Sequence, residues 1–272
     1  MQSFFLSWRA SRIHYLRGGT GNKLLICIHG YGETASSFSF LEEALGSEYT
    51  LLAIDLPFHG ATEWKEELFF SPEDLLSLIH EMTSGWSLET RWSLLGYSMG
   101  GRVVLSLLEK APKKVQKMVL IAPDGLTMNP WYWLATRTKG GRCLFRFTMR
   151  YPGWFFIFLR AANVLRLVNP SIFKFITTYI GDRQVRQDLY TRWTTMRCFR
   201  PDLSAVKRVI REEHLPVRLI YGRFDRIILV ARGETFRKGI EPYSKLSVLP
   251  TGHHLLQPKN LDSIVSAIFT DH

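Results

Sequence analysis

Apolar and polar positions along this chain follow two alternating regimes. A continuous apolar run at residues 23–28 predicts a strand covered on both faces, as in a parallel sheet. A second buried strand is read at 49–54 and a third before the serine at 91–97, and further strands are read at 115–122, 217–221 and 244–249. Between them apolar residues recur at helical spacing, over 36–45, 71–82, 99–110, 231–240 and 260–269. The second of these helices opens on Ser71-Pro72-Glu73-Asp74, which combines a serine cap, a first-turn proline and acids where the helix dipole favours negative charge. Residues 4–17 alternate loosely and end in Gly18-Gly19-Thr20-Gly21-Asn22, predicting one strand and a turn. Strands alternating with helices imply an α/β fold with a doubly wound, mostly parallel sheet. In such a sheet, ligands bind beyond the carboxyl ends of the strands.

From Leu126 to about His214 the sheet rhythm stops. Aromatic clusters appear, Trp131-Tyr132-Trp133-Leu134 and Trp154-Phe155-Phe156-Ile157-Phe158-Leu159, with helical spacing through 163–167 and 182–193. The expected organisation is a core of residues 1–125 and 215–272, with 126–214 inserted as a helical lid. Charge reinforces the division. The chain carries 35 Lys plus Arg against 24 Asp plus Glu, a net +11, and residues 126–214 hold 16 of the basic and 5 of the acidic residues. The rest is balanced at 19 of each, so the excess lies in the insertion and suggests an anionic ligand or an anionic surface as its partner. Large apolar side chains interrupt the basic ones and no reading motif is present, which argues against nucleic acid.

The three cysteines, Cys27, Cys143 and Cys198, are too scattered for a disulfide framework or a metal site. No metal or cofactor is expected, and a reducing, cytoplasmic setting is. The first 16 residues lack the apolar core of a signal peptide, and no uncharged run reaches the roughly 20 residues of a membrane span.

The chemistry concentrates at Gly96-Tyr97-Ser98-Met99-Gly100-Gly101-Arg102, between a buried strand and a helix. A sharp strand-to-helix turn thrusts the serine oxygen clear of the backbone and near the positive end of the next helix. Small residues two before and two after allow neighbouring backbone to pass close. A nucleophilic serine needs a base and a carboxylate to orient that base. Asp225 and His253 each follow a strand, with Asp124 and His254 as rivals.

Taken together, Ile28-His29-Gly30-Tyr31-Gly32, Asp55-Leu56-Pro57-Phe58-His59-Gly60, Gly96-Tyr97-Ser98-Met99-Gly100-Gly101, Tyr221-Gly222-Arg223-Phe224-Asp225 and Gly252-His253 resemble the α/β-hydrolase superfamily. The order Ser98, Asp225, His253 is that superfamily's order. The resemblance implies the α/β-hydrolase fold and a Ser98–His253–Asp225 triad, with an oxyanion hole formed by the backbone amides of Met99 and Tyr31. His29 is then expected as a hydrogen-bonder beneath the oxyanion loop, and His59 with Asp55 as a pin for its own loop. The expected activity is hydrolysis of a carboxylic ester with an apolar, lipid-like acyl group, in the manner of a carboxylesterase or lipase. Tyr97, Arg102, Trp131 and Trp154 are candidate substrate contacts. The aromatic, basic lid is a candidate for peripheral contact with an anionic membrane. Two alternatives stand beside this reading. The elbow is also similar to that of SHCHC synthase, whose triad serves as a base and whose arginines hold carboxylates. The other is a non-catalytic binding module that kept its pocket.

Overall fold

The computed structural model of the chain describes residues 1–127, 130–165, 173, 177 and 180–269. Its contacts divide it into two units, Met1–Glu66, Ser71–Thr127 and Cys198–His272 in one, Glu67–Phe70 and Met128–Arg197 in the other. Among the described residues the strands are β1 (Gln2–Trp8), β2 (Ser11–Gly18), β3 (Lys23–Ile28), β4 (Tyr49–Ile54), β5 (Trp92–Tyr97), β6 (Val115–Ile121), β7 (Val217–Gly222) and β8 (Ser244–Leu249). The α-helices are α1 (Glu42–Leu45), α2 (Pro72–Thr83), α3 (Met99–Lys110), α4 (Pro130–Arg137), α5 (Lys139–Arg150), α6 (Gly153–Val164), α7 (Arg183–Thr195), α8 (Leu203–Glu212), α9 (Val230–Arg237) and α10 (Leu261–Phe269). Of these, α4 to α7 belong to the second unit.

The first unit is built on one sheet in the order β1-β2-β4-β3-β5-β6-β7-β8. The pairs β1–β2 and β2–β4 are antiparallel; every pairing from β4 through β3 to β8 is parallel. The continuous apolar runs have their physical reason here: Leu25, Ile26, Cys27 and Ile28 in β3 are fully buried, as are Leu94 and Leu95 in β5. Helix α3 packs on β5, β3 and β6 and against α2 and α8. Every position from Met99 to Leu108 is buried. Its five aliphatic side chains Val103, Val104, Leu105, Leu107 and Leu108 contribute on the order of 10 kcal/mol of gross burial free energy, at about 2 kcal/mol each. Helix α2 begins with a capping box in which Ser71 Oγ accepts from Asp74 N–H while the Asp74 carboxylate accepts from Ser71 N–H.

Three local features differ from the pattern-based expectation. Residues 4–17 form a hairpin of two strands, turning at Arg9 with φ +54°. Neither Arg9 nor Ala10 is a residue type that marks such a turn, so alternation runs through it unbroken. Residues 35–41 wind as a 3₁₀ segment before the single turn α1, because Ala35, Phe38 and Leu41 recur at threefold spacing. Residues 198–214, expected in the insertion, lie in the first unit. There Val206, Val209 and Ile210 of α8 make a buried stripe, and Asp202 caps the helix by accepting from Ser204 and Ala205 N–H.

Within the second unit α5 and α7 are joined by Phe145, whose ring centroid lies 5.6 Å from Tyr190 and 5.9 Å from Trp193. Thr138 and Asp182 cap these two helices through the amides of Gly141 and Val185. Of the helical spacing read through 163–167, residues 166 and 167 lie outside the described residues.

Candidate active site

Ser98 stands between β5 and α3 with φ +49° and ψ −114°, a conformation that costs a side-chain-bearing residue on the order of 1–3 kcal/mol. The glycines around it make room for that turn. A Cβ on Gly96 would meet Gly100 O and Val104 Cγ2, each at 2.7 Å, and one on Gly100 would reach within 2.0 Å of Ile28 O. The turn is also tied from outside: Ser98 N–H donates to Ile121 O, and Ser98 O accepts from Asp124 N–H and Gly101 N–H.

The imidazole that meets this serine comes from the loop after β8. Ser98 O–H donates to His253 Nε2 at 3.1 Å, and His253 Nδ1–H donates to Asp225 Oδ2 at 2.7 Å. Asp225 follows β7, with its side chain fully buried and its other oxygen accepting from Ile227 N–H at 2.7 Å and Ile228 N–H at 3.0 Å. Those two amides fix the carboxylate plane, which fixes the ring, which leaves Nε2 as the acceptor facing Ser98. Asp124 and His254 are disposed otherwise. Asp124 lies 3.6 Å from Arg102 Nε and accepts from Gly125 N–H, while His254 is exposed, 6.3 Å ring to ring from His253.

Tyr97, a candidate substrate contact, is 3% exposed, and its hydroxyl donates to His253 O at 3.0 Å. Burial, with smaller contributions from the nearby Glu33 and Asp225 charges, pushes its phenol well above the usual range, so it remains a donor. Its observed contact is therefore with the histidine loop. Arg102 is 7% exposed and directed to Asp124; the backbone of Gly125 lies against it. An elimination site of the SHCHC-synthase type asked this arginine to hold a substrate carboxylate, a task its burial and its pairing oppose. The side chain of Trp131 lies outside the described residues, and Trp154 lies on α6 in the second unit, 40% exposed.

Met99 is the first residue of α3, where an amide has no intrahelical acceptor. Tyr31 follows Gly30, whose added Cβ would come 3.3 Å from Ser98 Cβ, so the loop after β3 passes directly beside the serine. That loop is braced from below by the fully buried His29, which donates Nδ1–H to Gly30 O at 2.7 Å and accepts Leu56 N–H on Nε2 at 3.1 Å. The loop after β4 is pinned in turn by Asp55, whose two oxygens accept from Ala35 N–H, Ala61 N–H and His14 Nδ1–H. His59 donates Nδ1–H to Pro57 O in the same loop. The pattern of residues gave no hint of His14 as a partner of Asp55, since it sits mid-strand in β2. Cys27 is fully buried and its thiol is driven far upward by desolvation, so it is chemically inert. No cluster of side chains among the described residues has metal-ligand geometry.

Comparison with known proteins agrees with this architecture. The profile of the alpha/beta hydrolase fold family matches residues 23–168. The pimeloyl-[acyl-carrier protein] methyl ester esterase of Nitrosomonas europaea is 30% identical over 258 residues, covering 89% of this chain and 92% of the relative. The dihydrolipoyllysine-residue acetyltransferase component of the acetoin cleaving system of Pseudomonas putida is 28% identical over 252 residues; 91% of this chain is covered, and it spans 62% of that longer protein. Among solved structures, a thermophilic esterase from Thermogutta terrifontis with malate bound superposes with a TM-score of 0.66 at 19% identity, over 98% of this chain and 97% of that one. The profile match over half the chain and the esterase relative covered along nearly its whole length show that the chain belongs to the alpha/beta hydrolase fold family.

Proposed function

We propose that this protein hydrolyses a carboxylic ester through an acyl-enzyme on Ser98. The observation that carries the reading is the unbroken relay from Ser98 Oγ through His253 to the buried Asp225. In the first half-reaction His253 Nε2 takes the Ser98 proton as Oγ bonds to the ester carbonyl carbon. The developing oxyanion is held by the amides of Met99 and Tyr31. His253 then gives the proton to the leaving alkoxide, and the alcohol departs. In the second half-reaction His253 deprotonates water, which attacks the acyl carbon, and the proton returns to Ser98 as the acid is released. Asp225 stabilises the imidazolium in both halves without itself taking the proton. Removing one oxyanion donor typically costs on the order of 3 kcal/mol of transition-state stabilisation.

Support for an ester rather than another acyl substrate comes from the Nitrosomonas relative, which is named for ester cleavage. A non-catalytic pocket has no use for a serine held in a costly backbone conformation against a polarised imidazole. The test is a short p-nitrophenyl ester together with a serine-reactive fluorophosphonate. Wild type gives turnover and a single adduct mapped to Ser98, and Ser98→Ala gives neither. Turnover that survives Ser98→Ala would end the acyl-enzyme reading.

A further inference from the structure

We propose that the outer face of the α5–α6 pair in the second unit docks on an anionic phospholipid surface. Helix α6 is apolar on both sides. Leu159 is buried, with Phe155, Phe156 and Ala162 half-buried beside it, so one side is consumed by packing. The opposite side carries Trp154, Ile157, Phe158 and Val164, continued by Leu165, with exposures between 40 and 79%. Helix α5 extends the same kind of surface. Phe145 and Thr148 face inward, while Leu144, Phe147 and Tyr151 at the end of the helix are at least half exposed. Large apolar side chains this exposed on consecutive helices are rare on a surface that meets only water.

The charge pattern selects the occupant. Arg142, Arg146 and Arg150 recur every fourth residue on α5, beside the apolar stripe, and Arg160 stands on α6. None of the four forms an ion pair among the described residues. Two described acids of this unit are engaged elsewhere, Asp182 capping α7 and Asp188 paired with Arg192. Glu67 lies with Arg142, Arg146 and Arg197 along a cavity of about 370 Å³. A second copy of the chain would bring the same positive charge against this one and be repelled. A bilayer of anionic lipids offers hydrocarbon for the apolar stripe and phosphates for the arginines at the depth where aromatic residues sit. No described helix is long and apolar enough to cross a membrane.

The full chain is mixed with vesicles of phosphatidylcholine alone or with phosphatidylglycerol added, at low and at molar salt, and bound protein is measured by flotation. Quenching of tryptophan fluorescence by brominated lipid reports insertion near Trp154. The expected result is binding to the phosphatidylglycerol vesicles that salt weakens. Arg146→Gln/Arg150→Gln/Arg160→Gln should weaken it roughly 100-fold. Ile157→Ser/Phe158→Ser should remove the quenching and cut binding about 30-fold or more. All variants should keep their turnover of a soluble ester, and Ser98→Ala should bind vesicles as wild type does, so failure of this proposal is separable from failure of the esterase reading. Equal binding of wild type and the Ile157→Ser/Phe158→Ser variant would overturn it. So would indifference to lipid charge, or a concentration-dependent dimer that the same variant abolishes.

Discussion

Replacing Asp225 by asparagine tests the relay with the least damage to the fold. The amide keeps an oxygen of the same size, so Ile227 and Ile228 N–H retain the acceptor they have at 2.7 and 3.0 Å. The other end now presents an N–H to His253 Nδ1 at the position where a carboxylate oxygen stood 2.7 Å away. The ring responds by placing its proton on Nε2, facing Ser98, where it can no longer accept. A wrong tautomer of this kind costs roughly 10⁴ in kcat in the serine-protease triad, equivalent to about 5.4 kcal/mol of barrier. Asp225→Ala differs in kind. It abandons both amides inside a buried site, at about 1–3 kcal/mol for each group left unpaired. The expected outcome is therefore a split. Asp225→Asn loses activity by about four orders of magnitude with KM little changed and a near wild-type melting temperature, whereas Asp225→Ala loses activity and also melts markedly lower. The assays are steady-state hydrolysis of a p-nitrophenyl ester and calorimetric unfolding. If Asp225→Asn kept more than a tenth of kcat while Asp124→Asn abolished it, the assignment of the carboxylate would be wrong.

Other expectations follow from single contacts. Gly100→Ala drives a methyl into Ile28 O, and backbone cannot yield as a side chain can; it should destabilise by about 3 kcal/mol or prevent soluble expression, measured by thermal melting. Arg102→Met removes the partner of a half-buried Asp124 and should cost about 1–3 kcal/mol of stability with kcat changed only severalfold; a hundredfold loss of kcat at unchanged stability would return Arg102 to the substrate. Burial raises the pKa of Tyr97 and Tyr221 above the usual phenol range of about 10, so above that pH the unfolded chain releases protons that the folded one holds. Their contribution is therefore complete below pH 10 and lost as pH rises through the folded values. Chemical unfolding at pH 8 to 11 should show a steeper alkaline decline for wild type than for Tyr97→Phe/Tyr221→Phe, and equal slopes would contradict the assignment.

How far the residues alone announce this site depends on the range of the interaction. The central parallel strands are legible because burial on both faces leaves unbroken apolar runs such as Leu24–Ile28, and the order of Ser98, Asp225 and His253 is legible because each follows a strand-like stretch. That His253 meets Asp225, while Asp124 faces Arg102, depends on tertiary contacts that no local pattern encodes. Tyr97 reads equally well as a wall of the site; its hydroxyl reaches a carbonyl 156 residues away, a contact created by tertiary packing. Likewise the apolar spacing of α8 is plain, but whether such a stripe flanks a sheet or fills an insertion is decided by what it meets, here α3.

The position of the last strand sets the order in which the molecule can fail. Ser98 projects from β5 in the interior of the sheet, while His253 hangs from β8 at its margin, a strand with most of its residues partly solvated. Opening of that margin costs less than dismantling the interior. Mild denaturant should therefore silence the enzyme while its helical signal is still intact, and ligands that bridge the two strands should delay inactivation more than they delay global melting.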